Sequence, residues 1–94
     1  MPINIYKTLS NDETEDIAWL CNDNWDLTEQ MKSLELWLIE SGTQLPVGDY
    51  IADVGISVRE GSEAKGGGAA FPPEAMSVMA TKGIYLFISE YPKI

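Results

Sequence analysis

Histidine is absent from this chain. Its absence removes the commonest general base and the commonest zinc ligand together. There is one cysteine, Cys21, so no internal disulfide can form, and a lone thiol fits a reducing compartment. Positive charge is scarce as well: 6 Lys and Arg stand against 15 Asp and Glu, a formal net charge of -9. A field of that sign repels nucleic acid and anionic membrane, and it steers basic proteins toward the surface. No apolar run approaches the ~20 residues that span a bilayer. Met1-Pro2-Ile3-Asn4 shows neither the basic nor the apolar region of a secretory signal. These absences predict a cytoplasmic protein.

What is present is enough for a core. Hydrophobic residues make up 45% of the chain, with three Trp and four Tyr, too apolar a content for disorder. The length, residues 1–94, suits one domain. Ile3-Asn4-Ile5-Tyr6 alternates as a strand does. Ile17 to Cys21 reads either as a strand, with Ile17, Trp19 and Cys21 on one face, or as helix after the Ser10/Glu13 capping spacing. Its β-branched and aromatic content favours the strand. Leu27, Met31, Leu34 and Leu38 form one stripe of a helix, with Asp26 and Glu29 placed to cap its start and Gly42 to end it in a left-handed turn. Leu36 falls opposite that stripe, with Ile39 nearby.

Tyr50 to Arg59 alternates again, with Ala52, Val54, Ile56 and Val58 on one face. Residues 60–70, which include Gly66-Gly67-Gly68, read as a flexible loop. Phe71-Pro72-Pro73 opens a short helix that Gly83 closes. Ile84 to Tyr91 is the last strand, with Ile84, Leu86 and Ile88 on one face and Tyr85, Phe87, Ser89 and Tyr91 on the other. The predicted order is ββαβαβ: an α+β, two-layer sandwich of about four strands in a mixed sheet under two helices, with its other face partly open. The pattern leaves strand order open. Tyr85, Phe87 and Tyr91 are either covered by the N-terminal segment and Trp19 or Trp25, which is the favoured expectation, or form an aromatic patch on an open sheet.

No chemistry-bearing motif closes. Lys65-Gly66-Gly67-Gly68 lacks phosphate-loop spacing and leads to Pro-Pro. A calcium loop beginning at Asp23 would put Thr28 where glycine belongs and Leu34 where the bidentate glutamate belongs. Cys21 has no histidine to activate it. The reading is a non-enzymatic protein with no catalytic residue, metal or cofactor.

Charge is the stronger signal. Between Asp12 and Glu40, nine carboxylates face one cation, Lys32. The candidate partner-binding residues are Asp12, Glu13, Glu15, Asp16, Asp23 and Asp26, with Trp25 and Leu36 as apolar anchors in an acidic rim. Leu36 also reads simply as a lone surface leucine. With the run Asp12-Glu13-Thr14-Glu15-Asp16, Asp23, Asp26 and Trp19, Trp25 and Trp37, the chain resembles the small acidic bacterial immunity proteins of contact-dependent and other polymorphic toxin systems. The resemblance is one of overall character, without a defining motif. It implies a cytosolic inhibitor of a basic toxin, most naturally a nuclease. Phage-encoded inhibitors of bacterial defence proteins share the profile. A small-ligand or housekeeping interaction module, using the 60–70 loop and the Phe71-Pro72-Pro73 helix start, is the alternative.

Overall fold

Residues 2–21, 26–57 and 68–91 are described in a computed structural model of the protein. A hairpin of β1 (Ile3–Thr8) and β2 (Thr14–Leu20) leads to α1 (Leu27–Glu40). A short 3-10 turn at Gly42–Gln44 follows, then β3 (Tyr50–Ser57), α2 (Pro73–Lys82) and β4 (Ile84–Tyr91). The α+β class, the order ββαβαβ and the four-stranded mixed sheet with two helices are as the sequence predicts. The strands lie in the order β2-β1-β3-β4. β1 is antiparallel to both neighbours, whereas β3 and β4 are parallel, which requires the crossover that α2 supplies.

Strand alternation decides which face the helices cover. Ile3 and Ile5 of β1, Tyr50, Ala52 and Val54 of β3 and Ile84 of β4 are buried with Met31, Leu34 and Leu38 of α1 and Ala75 and Met79 of α2. These residues form the core between sheet and helices. Leu27, Trp37 and Ile56 pack at its margin. One polar side chain ties α1 to the sheet and another ties β3 to the loop before it. Buried Gln30 donates Nε2–H to the Gly55 carbonyl oxygen at 2.8 Å, and the Tyr50 hydroxyl donates to the Pro46 carbonyl oxygen at 2.8 Å.

Four local expectations change. Gly42 does not end α1 in a left-handed turn: Ser41 caps it in helical geometry and the chain continues into the 3-10 turn. Gly42 serves close approach instead, since a Cβ there would lie 3.3 Å from Leu38 and 3.4 Å from Val78. Asp26 sits at the N-cap in extended geometry without a side-chain cap bond, and Glu29 pairs with Lys32 at 3.9 Å instead of reaching back. Segment 17–21 is strand as far as Leu20, but the register slips beside Ile17, so its alternation is interrupted. Ile84 alone of the inner β4 residues is buried, because Leu86 and Ile88 continue past the cover of α2 at the sheet edge. β3 is seen to Ser57. Val58, Arg59 and most of the predicted 60–70 loop lie outside the described residues.

Gly83 sets where β4 starts. It ends α2 with φ 83°, and a Cβ there would run into the Gly48 carbonyl oxygen. Only glycine fits a positive φ with backbone this close.

Candidate partner-binding surface

The predicted acidic cluster is continuous in sequence but not in space. The β1–β2 turn closes with Leu9 N–H donating to the Glu13 oxygen at 2.8 Å and Asp12 N–H to the Leu9 oxygen at 3.2 Å. Asp12 has φ 64°, a left-handed conformation that Asp tolerates better than most side chains. Its identity is therefore explained by the turn before any partner is invoked. Glu13, Glu15 and Asp16 are exposed along the hairpin and β2; Lys7 stands opposite Glu15 in the ladder, and among the described residues none of the three carboxylates forms an ion pair. Asp26 is at the opposite end of the sheet. The start of α1 lies there, as the Gln30 bond to Gly55 and the Thr28 Oγ1–H bond to the Gly68 oxygen at 3.0 Å both fix. Asp23 and Trp25 lie outside the described residues. Leu36 is 59% exposed on the outer side of α1, away from the sheet. The structure thus gathers Asp12, Glu13, Glu15 and Asp16, and separates Asp26 and Leu36 from them.

A different set of side chains converges on the sheet face that the helices leave open. The register places Asp16, Tyr6, Ile51 and Tyr85 in one row across the four strands, and Trp19, Asn4, Asp53 and Phe87 in the next. Asp16 and Trp19 differ in parity and would point to opposite faces of a regular strand. The bulge at Ile17 brings both to the open face. Trp19, Tyr85 and Phe87 are exposed there. The expectation that the chain would cover Tyr85 and Phe87 is overturned, because β4 is an edge strand and the helices lie on the other side. Ser89 Oγ donates to Asp53 Oδ1 at 2.7 Å, which holds that carboxylate among the aromatics.

A shallow cleft of about 270 Å³ opens on this face between Thr8, Asp49, Ile51, Tyr85, Leu86 and Phe87. Ligand pockets usually hold roughly 300–1,000 Å³, so the cleft lies near the lower end of that range. Asp49, Asp53, Tyr6 and Ile51 were not among the predicted site residues. Tyr6, Ile51 and Asp53 are the outward alternates of β1 and β3 and Asp49 precedes β3, and their meeting was legible only once the register was known.

Among the described residues no group of three or more His, Cys, Asp or Glu side chains is placed to hold a metal ion. Cys21 is free and half-buried, with φ 53°. No helix among the described residues is long and apolar enough to cross a membrane. Comparison with protein-family models, with curated proteins and with solved structures finds no match for this chain.

Proposed function

We propose that this chain is a non-enzymatic inhibitory binding protein of the cytosol, and that it neutralises a basic partner protein in the manner of an immunity protein. A toxin nuclease is the partner class that fits best, because a site built for polyanionic substrate is itself basic. The observation that carries the reading is the open sheet face, where Trp19, Tyr85 and Phe87 are exposed beside Asp16, Asp49 and Asp53. Exposed aromatics supply the desolvated centre of an interface and the carboxylates supply the rim. The anchors of this reading are Trp19, Tyr85 and Phe87, in place of Leu36. Net charge accelerates encounter, and aromatic burial sets residence time.

The test is capture from the source organism's lysate, with wild-type and Trp19→Ala baits washed at low and then high salt. A single stoichiometric basic protein that survives high salt on the wild-type bait, leaves the variant and loses its activity when bound supports the proposal. Only salt-labile basic proteins, bound in proportion to abundance and equally by both baits, would contradict it.

A further inference from the structure

The two edges of the sheet are built differently, and the difference identifies a second surface. Tyr50 N–H donates to the Gly83 oxygen at 2.9 Å, and the register continues Tyr50↔Ile84 to Ser57↔Tyr91. In a parallel ladder this directs the Gly83 carbonyl and the backbone groups of Tyr85, Phe87 and Ser89 toward β3. The N–H and C=O groups of Ile84, Leu86, Ile88 and Glu90 therefore point away from the sheet. Natural edge strands are blunted by charge, proline, bulges or short length. β4 has none of these from Ile84 to Ile88, and its first charge is Glu90. On its two faces Tyr85 is 67%, Leu86 43%, Phe87 56% and Ile88 52% exposed. Met76 adds a further exposed apolar group on α2, on the side opposite Val78, which packs toward Gly42.

We infer that β4 is a homodimer interface, in which a second copy of this chain pairs antiparallel to it and makes one eight-stranded sheet. A twofold axis perpendicular to the sheet keeps like faces together, so both helix layers lie on one side and both open faces on the other. Centred on Leu86, the pairing sets Ile84 opposite Ile88 and Tyr85 opposite Phe87, and it carries Glu90 toward Lys82 of the second copy. Aromatic and aliphatic cross-strand pairs of this kind stabilise a ladder.

Three observations favour a second copy over an unrelated strand. The contact is self-complementary and closed, because pairing consumes the unguarded edge of each copy and leaves the charged, bulged β2 edges outermost. The acidic β2 edges do not oppose it: they would stand seven strand spacings apart, roughly 34 Å, about four Debye lengths at physiological salt. Finally, β4 carries too little charge to select a basic partner. The four exposed side chains offer on the order of 400 Å² per copy, about half of a standard interface share. The dimer is accordingly a dissociable one.

Sedimentation equilibrium of the full chain across micromolar to millimolar concentration tests this directly. The expected result is reversible growth from the 10.4 kDa chain mass to twice that value and no further. Ile88→Pro removes an outward N–H without touching the β3 ladder and is expected to weaken association about a hundredfold or more. Leu86→Lys guards the same edge by charge and decides the matter if the proline variant fails to fold by circular dichroism. A wild-type chain that stays monomeric at millimolar concentration overturns the inference. So does open-ended growth, or a dimer that a folded Leu86→Lys variant leaves unchanged. Partner capture is read at Trp19, which lies away from β4, so its failure is distinguishable from failure of the dimer even though Tyr85 and Phe87 belong to both surfaces.

Discussion

β2 and β4 bound the same sheet and follow opposite rules. β2 carries Glu15 and Asp16, is broken by a bulge at Ile17 and begins from a tight turn at Asp12. β4 runs unbroken from Ile84 to Tyr91 with apolar side chains on both faces. Charge and irregularity at one edge discourage a further strand, and their absence at the other invites one. The net charge of -9 is thus not spread evenly over the two edges of the sheet. In the proposed function the acidic hairpin supplies the long-range field and the opposite half of the sheet the apolar contact. The open face joins the two, because the bulge that spoils β2 as an edge also turns Asp16 and Trp19 to the side shared with Tyr85 and Phe87.

The comparison is broken most severely at Gly83. Gly83→Ala forces a side chain into a left-handed position against the Gly48 carbonyl and is expected to cost about 3 kcal/mol or more. Urea unfolding at equilibrium measures the loss, and an unchanged midpoint would show that β4 is not held by that contact. Truncation of Leu34 in the core, Leu34→Ala, is expected to cost about 2–5 kcal/mol by the same measurement. Unguarding β2 sharpens the contrast. The double variant Glu15→Val and Asp16→Val gives the sheet two open edges and is expected to convert closed dimers into concentration-dependent higher oligomers, read by light scattering. If scattering stays at the wild-type level, the carboxylates are not what protects β2.

Against the captured partner, Trp19→Ala is expected to speed dissociation roughly 30-fold or more. Asp16→Lys should mainly slow association, with the difference fading as salt rises. Stopped-flow or biosensor kinetics separates the two, and a change confined to the other rate constant in either variant would reverse the assigned roles. The smallest effect belongs to Asp12→Gly, which suits the left-handed turn and should alter stability by less than about 1 kcal/mol.

Much of this architecture was legible in residue order. The stripe Leu27, Met31, Leu34 and Leu38 located α1 and its buried side, and Ala52 with Val54 located the inner face of β3. Pro73 and Gly83 bracketed α2. Strand order was not legible, because it depends on contacts between segments that no local pattern encodes. For the same reason β4 could be read as a strand with two apolar faces, yet not as an edge strand. That single fact exposed Leu86 and Ile88, which alternation alone had assigned to the inside. The bulge at Ile17 was hidden too, because Ile17, Trp19 and Cys21 alternate well enough in sequence. Missing it concealed that Asp16 and Trp19 share a face. Sequence continuity likewise made one acidic cluster of Asp12 to Asp26, where the fold sends its two ends to opposite ends of the sheet.

The most direct test of unequal edges is amide hydrogen exchange, residue by residue, at low and high protein concentration. Leu86 and Ile88 point their N–H groups outward on β4, and Asp16 and Trp19 do so on β2, since Thr8 N–H to Asp49 and the Ile3↔Leu20 register fix the parity there. The account predicts that Leu86 and Ile88 exchange quickly when dilute and gain protection as concentration rises, while Asp16 and Trp19 stay fast throughout. Equal behaviour of the two edges, whether both protected or both unchanged, would contradict it.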